Sequence, residues 1–233
     1  RDPEMSRGLG DVYKRQTEYM RQSLKVWAEL GFSFDVVSTG MILSAEQAAL
    51  VSDFCEQSAK KGALVFVDPI MGDEGKLYNG VGEETIAHMR KMVAVADCIV
   101  PNYTEAAYLA DMPYHEDMTE EEARALTIRL HEMGAKSVVV TSAKVDGENC
   151  VVGYDGTEGE FFRIPFDLIP VRFVGTGDIF AAVMLGRLVD GVPLQESTHR
   201  AMDAVRTMID RNRDKEDKYL GIPIETCLEV LDE

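Results

Sequence analysis

The sequence predicts an α/β fold with a mostly parallel sheet covered on both faces, and three observations carry that expectation. From Phe34 to Thr141, short β-rich runs alternate with helical segments, which is the pattern of repeated strand, crossover helix and strand. The run Leu64–Val67 (LVFV) is continuously apolar, as strands buried on both faces are. Asp68, Asn102, Glu105 and Thr141 stand just beyond strand runs, on the rim where parallel sheets gather ligands.

The elements follow in order. Thr17 is a plausible helix cap, with Met20, Leu24, Trp27 and Leu30 on one apolar face and Gly31 as the stop. Phe34–Thr39 reads as a strand. Ser44 with Gln47 makes a capping box for a helix reaching about Lys60, and Leu64–Val67 ends at Asp68-Pro69. A loop leads to a helix over Glu83–Val95, a strand over Cys98–Val100, helices over Thr104–Ala110 and Glu120–Met133, and a strand over Ser137–Thr141. Asn149–Tyr154 and Glu160–Ile164 read as an antiparallel hairpin around Asp155-Gly156. Helices over Asp178–Val189 and Leu194–Arg211 and a short one over Ile224–Leu231 close the chain.

Residues 1–16 (RDPEMSRGLGDVYKRQ) show no periodicity and no signal-peptide core, so they are expected to be an unstructured or foreign tail ahead of one domain spanning 17–233. The 233 residues suffice for one large core, and no apolar run of membrane-spanning length is present. With 24 basic against 41 acidic residues the net charge is −17, which repels a polyanionic backbone and argues against nucleic-acid binding. Cys55, Cys98, Cys150 and Cys227 lack the paired spacing of a zinc site or redox dithiol, which fits a reducing cytoplasm. His88, His115, His131 and His199 are scattered and read as ordinary surface residues; Met89, Met92 and Met184 read as core filling.

The most informative stretch is Val174-Gly-Thr-Gly-Asp-Ile-Phe180. Gly175 and Gly177 reach backbone angles closed to other residues, so consecutive N–H groups there can turn toward one anion. The helix that follows adds its positive end to the same spot. Asp178 is placed to take a proton from an attacking hydroxyl. The plain alternative is a Gly-rich turn with Asp178 as a helix cap, and on these residues alone both stay open. Asp68 leads into a Gly-rich loop carrying Tyr78, which reads either as a closing flap or as a plain connection. Asn102 suits a helix cap, and Glu105 suits the helix dipole as well as Mg²⁺ held through waters.

Four words, FDVVSTGMILSAEQ at 34–47, VDPIMGDEGKLY at 67–78, ADCIVPNYTEAAYL at 96–109 and VGTGDIFAA at 174–182, occur in an order and spacing that resembles the pyridoxal kinases of the ribokinase-like superfamily. The resemblance runs from about Thr17 to near the C-terminus. It implies the three-layer ribokinase-like fold and ATP-dependent phosphorylation of the 5′-hydroxymethyl group of pyridoxal, pyridoxamine or pyridoxine. It makes Asp178 the base and the Gly175, Thr176 and Gly177 amides the anion hole. Asn102, Glu105 and Asp68 would organise Mg²⁺, with Asp68, Glu105 and Thr141 facing ATP. Arg163, Ile164, Pro165 and Phe166 would align with part of the nucleotide pocket, and Tyr78 would belong to the flap. A monovalent cation such as K⁺ and a homodimer are implied by the resemblance alone.

Two departures qualify the likeness. Val100 stands where some relatives carry a hydroxyl before the Pro-Asn pair, leaving only a backbone carbonyl for a cation. The family's opening strand and next βα units find no counterpart, so the domain is expected to be N-terminally truncated and its vitamin site impaired. A hydroxymethylpyrimidine kinase, less readily a sugar kinase, and a non-catalytic nucleotide-binding remnant remain as alternatives.

Overall fold

The structure is a computed structural model that describes residues 3–231, without the side chains of residues 3–15. Helix α1 runs Pro3–Glu29, so the expected start at Thr17 is not there. Thr17 is instead buried mid-helix, and its hydroxyl accepts from Gln47 Nε2 at 3.1 Å. That contact, an Arg21–Glu46 ion pair and the packing of Trp27 on Phe54 lay α1 along α2. The apolar stripe is only partly covered: Met20 and Leu24 are half-buried while Leu30 is exposed. Of residues 1–16, expected as an unstructured or foreign tail, 1 and 2 lie outside the described residues and 3–16 have helical backbone continuous with 17–29.

Strand β1 (Val36–Thr39) and helix α2 (Ala45–Ala59) come next, α2 being capped by the Ser44 hydroxyl at the Gln47 amide as the capping box predicts. Then follow β2 (Leu64–Val67), the two-residue strands β3 (Gly72–Asp73) and β4 (Lys76–Leu77), α3 (Glu83–Val93), β5 (Cys98–Ile99), α4 (Tyr103–Ala110) and α5 (Glu120–Glu132). The chain continues with β6 (Ser137–Val145), β7 (Glu148–Asp155), β8 (Glu160–Pro165), α6 (Thr176–Val189) and α7 (Leu194–Asn212). It closes with two 3₁₀ turns, Ile224–Thr226 and Leu228–Leu231, where one short helix was expected; Cys227 at φ −131° breaks the run.

The main sheet has the order β1-β2-β5-β6-β7-β8. The first four strands are parallel and the last two join antiparallel. Alternating side chains give it two dry faces. Val65, Val67, Ile99, Val138 and Val140 pack under α2 to α5, whereas Phe66, Val139, Val151, Phe162 and Ile164 pack against Phe180 and Met184 of α6 and Ala201 of α7. The three-layer expectation therefore holds. Met89, Met92 and Met184 are fully buried, and His88, expected on the surface, is buried as well.

Strand β6 extends past the expected end at Thr141 to Val145 and turns into β7 through Asp146-Gly147, both at positive φ. The pairing is interrupted between Val140 and Ala143, where Ser142 adopts φ 56°. On the other side Thr141 keeps the β5–β6 register, its amide donating to the Pro101 carbonyl at 3.0 Å. The second hairpin, β7 to β8, forms as expected around Asp155-Gly156. All four cysteines are buried and unpaired.

Candidate active site

Gly175 is the N-cap of α6, at φ 84° and ψ 6°. This left-handed geometry strains any residue with a Cβ. The first helical bond is Ile179 N–H to Gly175 O at 3.1 Å. Among the described residues the amides of Thr176, Gly177 and Asp178 therefore have no acceptor, and all three lie at the positive end of the helix. Ile179 and Phe180 are buried and anchor the first turn, while Gly177 and Asp178 face solvent. The Asp178 carboxylate folds back to within 3.7 Å of where a Cβ on Gly175 would stand. An acceptor of protons and a cradle of N–H donors thus share one helix end.

Asp68 ends β2, its amide donating to Thr39 O at 3.0 Å. Its carboxyl is half-buried and has no hydrogen-bond or ion-pair partner among the described residues. Burial first, and the Asp178 charge second, push it up to about 7. The chain then crosses to the start of α4. Asn102 caps that helix, its Oδ1 accepting from the Glu105 amide at 3.0 Å while Glu105 Oε2 accepts from the Asn102 amide at 2.9 Å. The same two side chains clamp the loop after Asp68. Glu105 Oε1 accepts from Met71 N–H at 2.9 Å, and Asn102 Nδ2 donates to Gly72 O at 2.7 Å. Burial pushes the Glu105 carboxyl up to about 7 in spite of these backbone donors.

The loop folds into the β3–β4 hairpin, turning at Glu74 and Gly75, φ 52° and 76°. Gly72 has to be glycine, since a Cβ there would stand 2.5 Å from Lys76 O. Gly75 N–H donates to Thr104 Oγ1 at 2.8 Å. Arg172 reaches across from the segment before α6, pairing with Glu74 at 2.5 Å and Asp73 at 2.7 Å. Tyr78 follows β4, partly exposed, with its hydroxyl held above its ordinary pKa by burial and then by Asp73 and Glu105.

Asp68, Glu105, Tyr78 and Asp178 therefore belong to one electrostatic neighbourhood, and Thr141 is tied to it through the bridge to Asn102. The four predicted residues of β8 and its end divide. Ile164 and Phe166 pack on the α6 side of the sheet. Pro165 is exposed. Arg163 points the other way, to Val145 O at 2.8 Å and Glu148 at 2.6 Å at the tip of the β6–β7 hairpin. Arg172 and Thr104 escaped the sequence reading. The signal for Arg172 was a lone base three residues ahead of Gly175 in an acidic chain.

The donor set fits a divalent cation at Asp68, a half-buried carboxylate without a partner beside a second carboxylate. It fits less well at Asn102, since both ends of its amide already serve the capping box and Gly72. No group of three or more His, Cys, Asp or Glu residues among the described residues is arranged to hold a metal by itself. An ion at Asp68 would complete its shell with water and phosphate oxygens, as Mg²⁺ commonly does.

The family profile described as phosphomethylpyrimidine kinase matches residues 4–221. A pyridoxal kinase of Arabidopsis thaliana is 32% identical over 171 residues, covering 70% of this chain and 53% of that protein. The chain spans about half the length of the curated relatives it matches. A candidate phosphomethylpyrimidine kinase from Bacteroides thetaiotaomicron, in a crystal form with pyridoxal, is 32% identical with a TM-score of 0.87, over 93% of this chain and 77% of that one. Pyridoxal kinase from Lactobacillus plantarum gives a TM-score of 0.80 at 27% identity, over 93% of this chain and 77% of that one. With the profile matched over most of its length and solved folds superposing on 93% of it, the chain belongs to the phosphomethylpyrimidine kinase family, among the ribokinase-like proteins that include the pyridoxal kinases.

Proposed function

We propose that this chain transfers the γ-phosphoryl group of ATP to the 5′-hydroxymethyl group of pyridoxal, pyridoxamine or pyridoxine. The observation that carries the reading is the helix end at 175–178, where three unpartnered amides and an exposed carboxylate converge. Asp178 accepts the proton of the hydroxyl as its oxygen attacks the γ-phosphorus, and the bond from that phosphorus to the β–γ bridging oxygen breaks to release ADP. The amides of Gly175, Thr176 and Gly177, with that of Asp178 next to them, face the charge that spreads over the equatorial oxygens, with no reorganisation needed at the moment of transfer.

Mg²⁺ bound beside Asp68 would neutralise phosphate charge, with Glu105 reached through water. Asn102 acts through Glu105 rather than as a ligand. Thr141, together with Pro165 and Phe166 at the end of β8, supplies the side chains offered to the nucleotide, whereas Ile164 is buried under α6 and Arg163 serves the hairpin. K⁺ and a homodimer come with the resemblance. A cytoplasmic location rests on the four unpaired cysteines and on there being no described helix long and apolar enough to cross a membrane.

The test is formation of pyridoxal 5′-phosphate from pyridoxal, ATP and Mg²⁺. Asp178→Ala is expected to lower turnover by about 10² to 10⁴-fold while leaving ATP binding in place. Undiminished turnover in that variant would remove Asp178 as the base. The family profile's own description, phosphomethylpyrimidine kinase, favours a second reading, a pyrimidine substrate of the kind expected for the hydroxymethylpyrimidine kinase alternative. Parallel assays on both substrates separate the two, and nucleotide binding with turnover of neither would identify a non-catalytic remnant.

A further inference from the structure

The surroundings of the helix end are acidic: Asp68, Asp73, Glu74, Glu105 and Asp178. One guanidinium joins this group. Arg172 stands three residues before Gly175 and grips two carboxylates on the turn of the β3–β4 hairpin, Asp73 and Glu74, about a hundred residues away in sequence. The base of that hairpin is fixed to α4 by Glu105 and Asn102, and its turn by Thr104 at the Gly75 amide. The turn is also held from the other side by Arg172. Asp73 is itself oriented, since its Oδ1 accepts from the Glu74 amide at 2.9 Å and leaves Oδ2 for the guanidinium.

We infer that Arg172 is a positioning residue that locks the β3–β4 hairpin to the Gly175 turn and so sets where Tyr78 stands beside the carboxylates. The planar fork matters here, because one guanidinium spans two carboxylates that a lysine ammonium grips only one at a time. The contact is also the weakest link around the hairpin. Arg172 and Glu74 are largely exposed, so water and salt screen the pairs, while the bonds to Glu105, Asn102 and Thr104 keep the rest of the hairpin on α4. The consequence for catalysis rests on the kinase reading above. Opening the clasp loosens the Asp73–Glu74 turn and the placing of Tyr78, while the bonds to α4 and the anion hole itself stay built.

Hydrogen exchange of the segment 71–78, followed by mass spectrometry on the full chain, tests this. Arg172→Ala is expected to speed exchange there roughly three- to tenfold and to leave the core of β6 unchanged. Asp73→Asn with Glu74→Gln should do the same, and the triple variant should add nothing further, because all three act in one contact. Arg172→Lys should fall between parent and Arg172→Ala. Added salt should speed exchange in the parent segment but not in Arg172→Ala. Unchanged exchange in Arg172→Ala, effects that add in the triple variant, or faster exchange throughout the molecule would each overturn the assignment. Titration of the parent with Mg-ATP runs alongside: absence of binding would count against the kinase reading and leave the exchange result on Arg172 standing.

Discussion

Asp68 ends β2 half-buried beside Asp178, and its carboxyl titrates near 7 rather than at the ordinary 3.8. The folded state therefore keeps a proton that the unfolded chain gives up, and folding stability falls as pH rises between these values, then levels off. Asp68→Asn removes that loss. It is expected to be more stable than the parent at pH 8 by on the order of 2 kcal/mol, and equal to it near pH 4, as read from thermal unfolding at the two pH values. The sequence showed Asp68 at a strand tip but neither its burial nor the charge of Asp178, more than a hundred residues away, that adds to it.

At the scale of elements, α4 shows what local sequence can and cannot show. Its start was legible in Asn102-x-x-Glu105, because a capping box is a contact across three residues. The second duty of that box, clamping Met71 and Gly72, joins residues over thirty apart and has no local signature. Glu105→Ala strips acceptors from three buried amides at once. It is expected to cost about 2 to 4 kcal/mol in denaturant unfolding, far beyond a surface cap. The other end of α4 is strained. Asp111 caps it in the left-handed conformation, φ 55°, with a negative charge at the negative end of the helix. Asp111→Gly should relieve both and raise stability by up to about 1 kcal/mol in the same measurement. The turn Asp146-Gly147 marks the opposite failing: its hairpin signal was present in the sequence, but the run Ser137–Thr141 drew the strand end too early because a bulge at Ser142 hides the continuing alternation.

Over the whole molecule the net charge of −17 sets a self-repulsion spread across many exposed carboxylates. Raising ionic strength from about 10 mM to about 150 mM shortens the screening length from about 30 Å to about 8 Å. The global Tm is expected to rise by a few degrees, because exposed ion pairs such as Lys25–Glu29 are each worth too little to reverse the trend. A falling Tm would show that ion pairs outweigh repulsion. The turn of the β3–β4 hairpin should respond with the opposite sign, since the ion pairs of Arg172 that hold it are screened by salt. What the sequence by itself determined is the alternation of strands and helices, the strand ends as the rim of a site, and the helix end at Gly175 to Asp178. All of these are written in short-range periodicity, glycine geometry and capping. Only the tertiary structure decided that Asp68 and Glu105 are buried carboxyls and that Arg163 serves a hairpin tip while Arg172 reaches the site. It also placed Asn102 and Glu105 as clamps on a distant loop. Burial and ion pairing depend on which segments the fold brings together, and that choice is spread over the whole chain.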